Sequence, residues 1–187
     1  MTRTSVVMGA LAAMCLVSQP AAADTARSAY VGQQSREIKA LSEEDIAALR
    51  SGDGMGLAKA AELNGYPGPR HVLALARELR LSESQAARAT AIRDRMSAAA
   101  RPLGNELIDR EHALDRLFAE REMTPERLSD ATAAIGATQA RLRAMHLAAH
   151  LETRAILSAE QIAQYDKLRG DTEAGTPNRD HPATHRH

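Results

Sequence analysis

Leu128, Ile135, Leu142, Ala149 and Ile156 recur at intervals of seven, with mostly polar or small residues between them. Spacing of this kind holds an apolar stripe on one side of a helix, and the stripe needs a partner to cover it. Upstream, Ala89, Ile92, Met96, Ala99, Leu103, Leu107, Leu114 and Leu117 recur at threes, fours and one seven. That makes a second amphipathic stripe of about ten turns. Pro102 falls inside it and is expected to kink the helix. Between the two stripes stands Thr124-Pro125-Glu126, a helix restart with Thr as cap and Pro at the first position. Two rods joined by a turn near residues 122 and 123 fold back as an antiparallel hairpin. No strand pattern competes, so the fold class is all-α.

The core of such a hairpin must be thin. The aromatic residues are Phe118, Tyr30, Tyr66 and Tyr165, with no Trp. Leu, Ile, Met and Ala must supply the burial that aromatics usually dominate. Long helices packed closely suit this composition better than a thick globule around a deep pocket.

Shorter helices flank the rods, at the open end of the hairpin. Ser42-Glu43-Glu44-Asp45 reads as a helix start, with a hydroxyl cap and acids in the first turn. That helix should stop at Ser51-Gly52-Asp53-Gly54. A second covers about Leu57 to Leu63 and ends in the breaker Asn64-Gly65-Tyr66-Pro67-Gly68-Pro69. A third runs from near Arg70 through Leu79. Ser82 with Gln85 opens the first rod as a capping box, and Ser158 with Gln161 opens a last short helix that Gly170 stops. Residues 24–40 are polar and aperiodic, a loose stretch ahead of the first short helix.

The ends read as processing signal and tail. Arg3, an apolar run from Val6 to Val17 and the small residues Ala21-Ala22-Ala23 match a secretory signal ending before Asp24. The run is short for a membrane span, though an uncleaved anchor is the alternative. The organisation is then 1–23 signal peptide, 24–69 lead-in, 70–170 hairpin domain and 171–187 tail. The tail is polar, carries His181, His185 and His187, and is expected to be disordered.

Charge and cysteine exclude several function classes. The full chain balances 24 basic against 24 acidic residues, so no global field draws it to nucleic acid. The one cysteine, Cys15, lies in the signal segment, which removes thiolate catalysis and thiolate metal sites from the remainder. No Gly-x-Ser-x-Gly elbow and no strand-borne phosphate loop is present. An enzyme is not expected.

The sharpest chemical signal is His146 and His150. At i and i+4 their side chains sit about 6 Å apart on one helix face, so both reach one ion. Folding about the 122–123 turn sets His146 opposite Ala99 and His150 opposite Arg95, which brings Asp94 and Met96 into range. His71, at the start of the preceding helix, folds back over the open end and joins them. His112 faces Ala133, some 20 Å along the hairpin at about 1.5 Å per residue, and is set aside with Glu111. Nitrogen and oxygen donors without thiolate suit zinc, nickel, cobalt or copper. The competing reading is a set of solvated or interface histidines. Arg88, Arg93, Arg95, Arg101, Arg110 and Arg116 offer either a basic surface for clients and acidic partners or a solvated face of ion pairs such as Glu106 with Arg110.

Two Leu-Ser-x-x-Gln segments, Leu81 to Gln85 and Leu157 to Gln161, bracket the hairpin behind a signal peptide. In this the chain resembles the periplasmic Spy/CpxP-like proteins, the LTXXQ-motif family, over about residues 70 to 169. Ser82 and Ser158 stand where the family prefers Thr. The resemblance implies a curved helical hairpin that dimerises into a cradle in the periplasm. It implies an envelope stress role: ATP-independent chaperoning of unfolded clients, or metal sensing through an envelope sensor protein in the membrane. Nickel and cobalt sensors of this kind carry ligands in places comparable to His71, Asp94, His146 and His150, although Leu75 replaces a second first-helix His and His150 replaces a Met. The expected function is therefore a periplasmic protein that senses or buffers a divalent transition metal and engages a partner, the alternative being a metal-independent chaperone.

Overall fold

The computed structural model describes residues 28–170. The signal segment 1–23 and the histidine-bearing tail 171–187 lie outside the described residues. The chain divides into two compact units at Gly32. Of the first, residues 28–32 are described and form a turn, in which the Val31 N–H donates to the Ser28 carbonyl at 3.2 Å. All that follows concerns the second unit.

Its elements are α-helices: α1 Glu43–Ser51, α2 Lys59–Glu62, α3 Pro69–Ala74, α4 Glu83–Ala119, α5 Pro125–Ala155 and α6 Ala159–Arg169. No strand occurs among the described residues. None of these helices is long and apolar enough to cross a membrane. The caps follow local chemistry. Ser42, Ser82 and Ser158 each accept a hydrogen bond from the backbone three residues on, and Asp45, Gln85 and Gln161 each return one. Each such cap stabilises its helix by about 1 kcal/mol. Gly52 and Gly170 close α1 and α6 in the left-handed conformation.

α4 and α5 are the principal packed pair, the expected hairpin. The register shows in cross-links between the rods. Thr138 donates to Glu106 at 3.0 Å, and Arg95 pairs with Glu152 nearer the open end. Of the heptad residues, Ile135, Leu142, Ala149 and Ile156 are buried. Leu128 is 40% exposed, because it lies near the hairpin turn, beyond the short helices. α4 runs through Pro102 as one helix, with the ring on the exposed side.

Three expectations change. The helix expected through Leu79 ends at Ala74, and turns follow to Arg80, whose φ is 48°. The stretch before α1 is not loose: Ile38 is 2% exposed, and Lys39 pairs with Asp115 at 3.3 Å. α1 also lies well along the hairpin and not at its open end. It covers a second face of α4, formed by Ala100, Gly104 and Ile108, that the apolar stripe does not include. Gly104 makes this crossing close: a Cβ there would sit 2.1 Å from the Leu49 carbonyl oxygen.

The apolar core has two parts. One gathers Ile38, Leu49, Ala100, Leu107, Ile108, Ile135 and Leu142. The other gathers Val72, Leu79, Ala89, Ile92, Ala149, Ile156 and Tyr165 around the open end. Along α5 the first ends at Leu142 and the second begins at Ala149. His146 falls between them.

Candidate functional site

A cavity of about 580 Å³ opens where the two core clusters part. Its floor is the hairpin: Met96 from α4, with His146 and His150 from α5. Its walls come from the segments before α4: Asp53 and Met55 from the glycine loop after α1, Glu62 from α2 and His71 from α3. Arg169, at the end of α6, completes it.

His146 is 2% exposed because it shares the buried stripe with Leu142 and Ala149, four residues before and three after it. Its Nε2 has no hydrogen-bond partner among the described residues. Burial, and then the neighbouring His150, hold its pKa below the ordinary imidazole value, while Asp53 pulls the other way. The neutral ring is favoured, with a polar nitrogen left unsatisfied. Such an atom costs about 1–3 kcal/mol unless something pairs with it.

His150 is held more tightly. Its Nδ1 lies 2.7 Å from the Tyr66 carbonyl oxygen. A carbonyl only accepts, so Nδ1 carries the proton, and in the neutral ring Nε2 keeps the lone pair. Backbone partners of this sort commonly orient metal-binding imidazoles. The breaker segment is pinned to α5 to make this possible. Arg154 donates to the Gly65 carbonyl at 3.0 Å, and its guanidinium stacks 4.7 Å from the Tyr66 ring centre. Gly68 passes so close that a Cβ there would sit 2.8 Å from His150 Cε1.

The carboxylates are already engaged. Asp53 accepts from Ser51 at 2.7 Å and from Arg70. The Ser51 hydrogen bond, with help from Arg70, holds its carboxyl below the usual range against the opposing effect of burial. Glu62 is a hub. It accepts from the Tyr165 hydroxyl, meets His71 Nδ1 at 3.1 Å, and lies 3.5 Å from His150 Nδ1 and 3.7 Å from Arg169.

Three of the four residues picked from the sequence, His71, His146 and His150, thus line one cavity. Asp94 does not. Its carboxylate pairs with Arg93 at 2.7 Å and is 61% exposed. The cause is helical geometry: Met96 faces the cavity, and a residue two positions earlier projects to the far side. Asp53 and Glu62 escaped the sequence reading. The glycine loop Gly52 to Gly56 was the one signal that a close backbone approach lay there. Among the described residues, no three His, Cys, Asp or Glu side chains are gathered so as to hold a metal ion.

The two serine–glutamine motifs join the hairpin to α6 through their glutamines. The model of the LTXXQ motif family matches residues 69–169, more than half of the chain, and both motifs lie inside it. The chain belongs to the LTXXQ motif family. No curated protein and no solved structure matches it. The family span begins at Pro69, so the lead-in that supplies Asp53, Met55 and Glu62 lies outside it. LTXXQ membership supports a periplasmic protein of the Spy/CpxP-like kind.

Proposed function

We propose that this chain is a periplasmic stress-response binding protein that takes a transition-metal ion at His146 and His150 and presents its hairpin to a protein partner. One observation carries the reading: a 2%-exposed imidazole whose buried Nε2 lacks any partner among the described residues, on a residue that lines the same cavity as a second, oriented imidazole. The donors fit an ion through nitrogen. An ion there fills the hydrogen-bonding deficit of His146.

Because no three His, Cys, Asp or Glu side chains are gathered among the described residues, binding is coupled to adjustment of the lead-in. Arg70 with Asp53, the Glu62 hub and Tyr66 with His150 hold that segment over the floor. An ion switches such a protein only by binding one arrangement more tightly than the other. The partner, an envelope sensor protein or a second copy of the chain, reads which arrangement is present. The role is binding, without turnover.

A second reading, holding unfolded clients, is favoured by the apolar side chains near the closed end of the hairpin. There Phe118 is 56% exposed and Leu128 40%. One experiment separates the two. His146→Ala/His150→Ala is compared with the parent by zinc, nickel and copper calorimetry and by suppression of client aggregation. Both proteins carry Ala at His181, His185 and His187 to remove other imidazoles. Loss of ion binding with intact aggregation suppression assigns the two activities to separate surfaces. A parent that binds neither zinc, nickel nor copper removes the metal reading.

A further inference from the structure

We propose that residues 53–68 form a strap that lifts as one unit from α5 and so controls when an ion reaches His146 and His150. The proposal rests on the metal-binding reading above and adds the step that comes before binding.

Two glycines of this segment are pressed against the two imidazoles. A Cβ at Gly54 would sit 3.6 Å from His146 Nδ1. A Cβ at Gly68 would sit 2.8 Å from His150 Cε1 and 2.9 Å from its Nε2. His146 Nε2 is itself buried, with no partner among the described residues. One ligating nitrogen is therefore sealed from solvent, and backbone lies directly against the other. The strap has to move before an ion meets both.

The two ends of the strap are anchored and its middle is not. Before it, Leu49 is buried, and a Cβ at Gly52 would sit 3.0 Å from the Ser97 carbonyl oxygen on α4. After it, Val72 is buried in the second core cluster. Between these anchors the buried residues are Ala58, Pro67 and Gly68, while Met55 and Leu63 are exposed. α2 has four residues, no side-chain cap and no buried side chain. The fastenings are polar: Arg70 to Asp53, Tyr165 and His71 to Glu62, and Arg154 to the Gly65 carbonyl and the Tyr66 ring. A segment with so few buried apolar groups belongs to the least stable part of a fold. Gly52, Gly56 and Gly65, at φ of 75°, 77° and 73°, give its backbone places to turn.

An ion that must wait for the strap binds only the lifted fraction, so its apparent affinity falls by that fraction. Its binding rate stops rising with ion concentration once lifting is the slow step. The strap thus sets both how much ion the protein takes and how fast. Lifting also undoes α2, because four residues without packing do not stay helical. The amides of Glu62 and Leu63, bonded to the Ala58 and Lys59 carbonyls, therefore report the event.

The test uses the full-length chain with the tail histidines replaced by Ala, beside the same chain carrying Arg154→Ala or Arg70→Ala, both at exposed positions. Hydrogen exchange by mass spectrometry and diethyl pyrocarbonate labelling of the imidazoles need no ion. The proposal expects residues 53–68 to exchange together, ahead of α4 and α5. It expects His146 and His150 to be labelled far more slowly than the exposed His112. Arg154→Ala should raise exchange of the whole strap, and labelling of both histidines, by about tenfold through loss of a hydrogen bond and a ring contact. It should leave exchange of α4 unchanged. Arg70→Ala should act the same way more weakly, as loss of a surface pair does. Stopped-flow mixing with zinc should give a rate that levels off as zinc rises, at a plateau that Arg154→Ala raises by the same factor. Strap exchange only together with the whole hairpin, or His146 labelled as fast as His112, overturns the proposal. So does a zinc rate that climbs without limit. A strap that lifts as expected in a chain that binds neither zinc, nickel nor copper overturns the metal reading alone.

Discussion

Gln85 and Gln161 hydrogen-bond each other's side-chain amides, at 2.8 Å in one direction and 3.1 Å in the other. Each oxygen also accepts from the backbone N–H of its own cap, Ser82 or Ser158. Each nitrogen also donates to a carbonyl of a neighbouring segment, Ile156 for Gln85 and Leu79 for Gln161. Every donor of both amides is used, which a carboxylate or an aliphatic side chain could not reproduce. The family motif is thus two helix caps that also clasp α4, α6 and the turn before α4.

Replacing either glutamine with Ala should destabilise the protein by about 1–3 kcal/mol, since it leaves buried groups without partners. The double variant should cost less than the two single ones together, with a coupling of about 0.5–3 kcal/mol. Urea melts of the four proteins measure this. Additive effects would mean that the two caps work independently.

Two helical glycines should respond oppositely to Ala. At Gly104 a Cβ would press on Leu49 at 2.1 Å, so α1 must lift from α4, at a cost of about 1–3 kcal/mol or more. At Gly136 a Cβ meets nothing within 4 Å, and the change should stabilise α5 by about 0.5–1 kcal/mol. Thermal melts of both variants give the two signs.

Glu62 and Asp94 should separate as sharply. Glu62→Gln weakens contacts to Tyr165, His71 and Arg169 together, and proteolysis of the lead-in should accelerate. Asp94→Asn removes a surface pair with Arg93, worth about 0–1 kcal/mol, and should leave ion affinity unchanged. A drop in ion affinity for Asp94→Asn would restore it as a ligand.

Acid should weaken the fold through His146. Its pKa in the folded protein is held down by burial and by His150. As pH falls through the ordinary imidazole value of about 6.5, the unfolded chain takes up the proton first. The stability present above that pH is therefore lost progressively below it, and the loss levels off once pH passes the folded value. Urea melts between pH 7.5 and 5 should show this slope, and His146→Leu should flatten it. An unchanged slope in the variant would place the titration elsewhere.

Much of the hairpin was legible because its cause is local. Seven-residue spacing buried Ile135, Leu142, Ala149 and Ile156, and three serines capped the helices they precede. The second buried face of α4 was not legible. Ala100 and Gly104 are small, so they carry no apolar signal until α1 is known to cross them. The site divided along the same line. His146 and His150 share a helix face, so their spacing placed both on one side of α5, whereas Asp53 and Glu62 reach the cavity from distant segments. Asp94 projects away from the cavity because the helix turns its side chain to the far side from Met96, a direction that distance along the hairpin does not carry.

The central claim is that His146 and His150 take a metal ion through Nε2. Long-range proton–nitrogen NMR of the imidazoles, recorded while zinc is added to the full-length chain, tests it most directly. The account predicts that both Nε2 resonances move together and saturate at one ion per chain, with His71 still on Glu62. Unmoved His146 and His150 resonances, with changes confined to His181, His185 and His187, would contradict it.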